Sequence, residues 1–385
     1  MRSISKSFSL LLILILTVSS LMIIKPAFAQ PPVTYPEIAI LTNGSVQSSL
    51  TPSPISNEGN IYIINENISD YGLDVQISNI LLLGEGNTLH ASAEYNTNSA
   101  ITIEGNGVTV ENVSINAFYV GIDVKGSSDK ITGCNITAYD NDISVEGQSN
   151  LITDNQLSYC GASGINLSGS LNNVDSNTFN CGNGACLTID SNSNTISRNL
   201  LISGTFDVEM LGNRNNVIYN TITGGSNGII CYYPANSNTV DRNNIIGNYE
   251  GVGLDENTNT FYLNNFINNT YDVRLEMVNA IISDPSAYNV NAFDNGSVGN
   301  YWSNYTAKYP SAKEIGKTGI YNTPYVIEGN ITDNYPLTAQ FNVGATGLPT
   351  PPIPELSWLV ILSLLLLVFS VAVIVRHRKT ANLNE

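Results

Sequence analysis

The chain has 385 residues, with 15 Lys/Arg against 32 Asp/Glu and a formal net charge of −17. This balance excludes nucleic acid as a partner, since binding phosphates requires basic patches. Hydrophobic residues make up 42%, enough for a large core, and the five cysteines leave one odd in any pairing scheme.

The chain opens "MRSISKSFSLLLILILTVSSLMIIKPAFAQ". Arg2 and Lys6 precede an apolar run, and Ala27-Phe28-Ala29 supplies an A-x-A cleavage site, so residues 1–29 are expected to be a secretory signal peptide. A Pro-rich lead-in, 30–57, follows. From residue 58 the dominant feature is a repeat. The stretches "NLITDNQLS", "NNVDSNTFN", "NTISRNLLI", "NNVIYNTIT", "NTVDRNNII" and "NTFYLNNFI" share an asparagine inside an apolar pattern: Asn155, Asn177, Asn199, Asn220, Asn243 and Asn264. The gaps are 22, 22, 21, 23 and 21 residues. Two residues after each comes an apolar position (Leu157, Phe179, Leu201, Ile222, Ile245, Phe266), and three before it another (Ile152, Val174, Ile196, Val217, Val240, Phe261). Each unit opens with a further apolar pair, such as Leu187/Ile189 or Val208/Met210.

A fixed period of this length dictates architecture. Each unit holds short runs of period-two alternation separated by Gly, Asn, Ser and Asp, with no helical periodicity. The expected fold is all-β: a right-handed parallel β-helix over 58–270, with three-strand rungs of about 22 residues stacked at roughly 4.8 Å. In such a stack the recurring asparagines form a ladder, each amide donating to one neighbouring rung and accepting from the other. That satisfies a buried polar group and fixes register.

Beyond the repeats, 271–342 is expected to cap the open end of the stack. Residues 343–355 read as a Pro-rich stalk. Leu356 to Val375 is an uncharged run of 20 residues, long enough to cross a bilayer core of roughly 30 Å. Arg376, His377, Arg378 and Lys379 follow it and place the tail, 376–385, in the cytoplasm by the positive-inside rule. The expectation is a single-pass membrane protein with its N-terminal ectodomain outside the cell. Nine N-x-S/T sequons (Asn43, Asn67, Asn112, Asn135, Asn166, Asn268, Asn295, Asn304, Asn330) suit such a glycosylated exterior.

The stretch "FDNGSVGNYWSNY" (293–305), followed by "NTPYVIEGNITDNYPL" (322–337), resembles the NosD-type, CASH-domain family of right-handed β-helix proteins, particularly archaeal secreted forms. With the repeats before it, the resemblance covers roughly residues 58–338. Family members often follow W-S-D-Y with an Asp/Gly-rich loop suggestive of calcium. Here Asn304 replaces the Asp, and the loop "TAKYPSAKEIGKTGIYN" carries three lysines. Calcium needs several close oxygen ligands and is therefore not expected. The family name also implies copper, which favours His, Met and Cys donors. Outside the signal segment the chain offers only His90, His377, Met210 and Met277 besides its cysteines, so neither a metal site nor a cofactor is expected.

Parallel β-helices can carry polysaccharide-cleaving carboxylates on an exposed sheet. Strict alternation around the opening apolar pairs puts Asp123, Asp142, Glu146, Asp190, Asp207, Glu209 and Asp255 outside, with Asp190, Asp207 and Glu209 as the candidate catalytic cluster. Asp190 and Glu209 would have backbones on the order of 8 Å apart, near the separation used by inverting glycosidases. Tyr232 and Tyr233 are candidate ligand contacts. Cys134 and Cys231 read as small core residues, Cys160 and Cys181 as neighbours on adjacent rungs able to form a disulfide, and Cys186 as a competitor for either. The function expected is carbohydrate recognition or adhesion at the cell surface, with an extracellular glycan or cell-envelope protein as partner. The alternatives are a polysaccharide glycosidase or lyase and a structural envelope protein.

Overall fold

The computed structural model describes residues 38–92, 99–158, 161–255, 258–275, 291–328 and 331–343. The expected signal segment 1–29, the expected stalk after residue 343 and the apolar run 356–375 lie outside these residues. Among those described, no helix is long and apolar enough to cross a membrane.

Three long sheets of 12, 11 and 11 strands run the length of the molecule. Every rung visits them in the same order. In one rung Val120–Val124 lies in the first sheet, Lys130–Thr132 in the second and Asn135–Thr137 in the third. Successive rungs pair in parallel without slippage, as in Leu187↔Val208 and Ile189↔Met210 of the first sheet and Phe179↔Leu201 of the third. The inward columns are fully buried aliphatic and aromatic side chains that form one continuous core. This is a parallel β-solenoid.

Tight corners join the strands, and most bend through a residue with positive φ. Asp154, Ser176, Arg198, Tyr219, Arg242 and Leu263 occupy this position between the second and third sheets. The asparagine follows immediately. Asn199 is buried; its Oδ1 accepts the backbone N–H of Asn177 at 2.9 Å, and its Nδ2 donates to Val174 O at 2.9 Å and to Asn220 Oδ1 at 3.0 Å. The same pattern links Asn155, Asn177, Asn199, Asn220, Asn243 and Asn264, with Cys134 donating its backbone N–H to Asn155 at the head.

A second ladder stands at the corner between the first and second sheets. Asn150, Asn172, Asn194, Asn215, Asn238 and Asn259 each accept a backbone N–H from the preceding rung, starting from Asp129. These residues open the repeated asparagine-containing stretches.

The ends differ from the middle. At the N-terminus Ile38–Ile40 already pairs with Leu73–Val75 in the first sheet, so part of the expected lead-in belongs to the solenoid. Two short antiparallel strands, Val46–Gln47 and Ile55–Glu58, cover the open edges of the first and second sheets. At the C-terminus, residues 291–303 build one more rung with little regular strand. Asn291 extends the second ladder and Asn300 the first. Phe293 stacks on Phe261 (centroids 5.1 Å apart), and Trp302 on Phe266 (4.4 Å). Tyr325 then closes the column 4.2 Å beyond Trp302.

Two sequence expectations are corrected. Cys181 is bonded to Cys186, with Cα atoms 5.3 Å apart, and not to Cys160, which lies outside the described residues. The five-residue spacing lets the loop "CGNGAC" fold back on itself at the corner, with Gly182 at φ 62°. Asp142 and Asp207 point inward and are fully buried, not outward. Strand Phe206–Met210 has two consecutive buried residues, Asp207 and Val208, because the chain is still leaving the corner at 207. The equivalent position is Gly121, Gly164, Cys186, Gly228 or Gly251 in other rungs. A Cβ on Gly228 would sit 2.7 Å from Gly251 O, which shows how closely the rungs approach there.

Candidate functional site

The outer face of the first sheet gathers most of the sequence-predicted site residues. Two columns define it toward the C-terminal end: Phe206, Asn227, Glu250 and Tyr271 in one, Thr188, Glu209, Ile230, Gly253 and Arg274 in the other. Glu209 faces outward and accepts a hydrogen bond from Thr188 Oγ1 at 3.0 Å, and that hydroxyl lies 2.8 Å from Ser163 Oγ. Asp190 is exposed beside this row, with its carboxyl held above the ordinary range by partial burial.

Asp207 is separated from them by the sheet itself. Its Oδ1 accepts the Gly204 N–H at 2.8 Å, while Oδ2 is enclosed without a hydrogen-bond partner. Burial pushes this carboxyl up to about 7. A carboxyl sealed inside the core cannot touch a polymer lying on the surface, so the outward cluster reduces to Asp190 and Glu209.

Tyr232 packs edge-on against Phe206, with centroids 6.3 Å apart, and Tyr233 beside it is 71% exposed. The sequence pattern did not single out the two neighbouring aromatics. Tyr249 and Tyr271, about half exposed, meet at 5.5 Å with an interplanar angle of 83°. Arg274 bonds Glu250 and lies 5.8 Å from the Tyr271 ring centroid, while Asn227 Nδ2 donates to Glu250 at 2.7 Å. Between these groups sits Gly253, where an added Cβ would meet Ile230 at 3.4 Å and Asn227 Nδ2 at 3.6 Å. This part of the sheet thus combines an ion pair, an amide and two half-exposed tyrosines. The available signal was a tyrosine at the start of two successive opening strands, "YEGVGL" and "YDVRL".

Chemically the surface suits a polar, ring-shaped ligand: aromatic faces for its C–H groups, and carboxylate, amide and guanidinium for hydroxyls. It does not suit a copper ion. Met210 and Cys231 are buried in inward columns, Cys134 heads a ladder, Cys181 and Cys186 are bonded together, and His90 stands on the third sheet. No three His, Cys, Asp or Glu side chains converge as metal ligands among the described residues.

The fold, its ladders and its closing rung define a parallel β-helix protein. A family model described as "Periplasmic copper-binding protein (NosD)" matches residues 208–307, the span holding the last rungs and the Asn291–Trp302 closure. Over that span the chain is similar to the NosD family. No curated protein matches it. Among solved structures it is similar to a tailspike protein mutant of E. coli bacteriophage HK620 in complex with a hexasaccharide, at 11% identity and a TM-score of 0.43. That match covers 62% of this chain and 47% of the tailspike, so the chain spans about half that protein's length. The A-module of the Azotobacter vinelandii mannuronan C-5 epimerase AlgE6 is similar at 14% identity and a TM-score of 0.47, covering 63% of this chain and 74% of that one. The periplasmic alginate epimerase AlgG is similar at 14% identity and a TM-score of 0.39, covering 67% and 76%. These likenesses concern the fold alone.

Proposed function

We propose that this protein is a membrane-anchored extracellular β-helix that recognises a carbohydrate on the outer face of its first sheet. The observation that carries the reading is the Tyr249/Tyr271 pair set beside Arg274, Glu250 and Asn227. Exposed aromatics on a rigid sheet lose little entropy when a sugar ring stacks on them, and the flanking polar groups orient its hydroxyls. Tyr232 and Tyr233 extend the same surface by one edge. Anchoring rests on the apolar run 356–375 and the basic residues after it. Of the sequons, Asn43, Asn67, Asn112, Asn135, Asn268, Asn295 and Asn304 are exposed, while Asn166 lies on the first-sheet strand Ser163–Leu167.

The test is a polysaccharide-binding screen of the full-length protein in detergent. A Tyr249→Ala/Tyr271→Ala double variant is expected to lose binding at least tenfold, about 1.4 kcal/mol or more. Wild-type strength in that variant would remove the proposal. Glu209, hydrogen-bonded to Thr188 and facing the same way as Asp190, supports the second reading, a polysaccharide hydrolase or lyase. Turnover lost in Asp190→Asn/Glu209→Gln, with binding retained, would favour that alternative. Absence of both binding and turnover would favour a structural envelope role.

A further inference from the structure

The second ladder begins on an aspartate. Asp129 stands between Val108 and Asn150 in that column, because the next residue, Lys130, pairs with Thr109 on one side and Leu151 on the other. Ile80 and Val108 fill the column in the preceding rungs with buried aliphatic side chains. From Asn150 to Asn291 every rung places an asparagine there. Asp129 is therefore the seam between an apolar part of the column and an amide part.

An asparagine of this ladder makes two kinds of bond toward the preceding rung. Asn150 Oδ1 accepts the Asp129 N–H at 2.7 Å, and Asn150 Nδ2 donates to the Gly126 carbonyl at 3.2 Å. Asp129 reproduces the first bond, its Oδ1 accepting the Val108 N–H at 2.8 Å. Its Oδ2 takes the place of the donor. A Cβ on Gly147 would lie 1.5 Å from Gly126 O and 3.0 Å from Asn150 Nδ2; one on Gly126 would lie 1.9 Å from Gly105 O and 2.5 Å from Asp129 Oδ2. Oδ2 is thus enclosed near a carbonyl oxygen, without a hydrogen-bond partner. Two acceptors facing each other in a dry corner repel unless one of them carries a proton. With that proton on Oδ2, the carboxyl becomes a donor and acceptor of the same shape as an amide.

None of the charged groups on the surrounding elements is its partner. Glu104, Lys125, Lys130 and Glu146 are exposed, Lys125 pairs with Asp123 on the outer face, and Glu111 stands at the far end of its strand. Burial pushes the Asp129 carboxyl up to about 6, offset only in part by the Val108 and Gly107 N–H groups.

We infer that Asp129 is a proton-gated joint: as a neutral acid it completes the second ladder and fastens the first rungs to the laddered stack, and as a carboxylate it loosens them. The folded value lies above the unfolded one near ~4, so the contribution is fully present below pH ~4 and is lost as the pH rises through about 6. The joint lies apart from the recognition face and needs no ligand, so each can fail without the other.

Hydrogen exchange of the full-length protein in detergent, expressed as protection relative to the intrinsic rate at each pH, tests the inference. In the wild type, protection across 99–116 should fall at least tenfold between about pH 4.5 and about pH 7.5. Asp129→Asn supplies the donor at every pH. It should match the wild type at the acid end and exceed it at least tenfold at the other, while 216–246 keeps a variant-to-wild-type ratio near one. Asp129→Val, which copies Val108, should lose the pH step at a lower level of protection. The inference is overturned if the wild type shows no step, if the step persists in both variants, or if Asp129→Asn is no better protected than the wild type at about pH 7.5. A gain spread evenly over 216–246 would overturn it as well.

Discussion

Between Asn155 and Asn264 each rung meets the next through a buried amide that both donates and accepts. Beyond Asn264 the ladder continues for one step to Asn300 and then meets a carboxylate. Asp333 Oδ2 accepts the N–H of Asn300 at 2.6 Å and Trp302 Nε1–H at 2.9 Å, and Oδ1 accepts the N–H of Tyr335 at 2.9 Å. The contrast comes from the neighbours of each position. An interior asparagine has a rung on both sides and uses both halves of its amide. The terminal residue has no further rung to donate to, so an acceptor-only group suffices, and three N–H donors converge on it. The cap motif seen in the sequence is thus a final rung, with Asn291, Phe293, Asn300 and Trp302 in the same columns as Asn259, Phe261, Asn264 and Phe266.

The largest effect is expected at the cap. Trp302→Ala removes a fully buried ring stacked on both sides and opens the last apolar column, costing about 4 kcal/mol in denaturant titration. A loss under about 1 kcal/mol would mean that the cap is decoration on a stack that is stable without it. An interior break should cost somewhat less. Asn199→Leu keeps the branched shape but strands the Asn177 N–H and the Val174 carbonyl, for about 3 kcal/mol. If the leucine variant proved neutral, the ladder's role in stability would be refuted.

Smaller and pH-dependent is the effect of Asp207. Its folded pKa, raised to about 7 by burial, lies above the unfolded value near ~4. Its contribution is therefore fully present below pH ~4 and is lost as the pH rises toward about 7. Asp207→Asn should flatten this part of the stability–pH curve. An unchanged curve would show that other carboxyls dominate, Asp333 being the first to examine, since burial pushes it up to about 7 as well.

The period of the chain made the stack and one ladder legible, because Asn199 between Ile196 and Leu201 is an anomaly that only a rung-to-rung partner resolves. The second ladder was written in the same stretches and passed unnoticed. Asn194 stands beside Ser191, Asn192 and Ser193, where an asparagine looks like ordinary turn chemistry. Glu209 and Asp190 were placed on the outer face by alternation, and they lie there. Asp207 was misplaced because alternation fails where the strand leaves its corner, and the glycines at that position in other rungs were the overlooked sign. Tyr249 and Tyr271 span only two rungs, too few to register as a column. Their meeting depends on the corner geometry, which the period does not specify.

The recognition face is tested most directly by hydroxyl-radical footprinting of the tyrosines, with and without a bound polysaccharide. The account predicts protection of Tyr249 and Tyr271, and more weakly of Tyr232 and Tyr233. Tyr219 and Tyr262, beside Arg242 at a different corner, should remain unchanged. Protection of Tyr219 and Tyr262, with Tyr249 and Tyr271 as reactive as in the free protein, would contradict it.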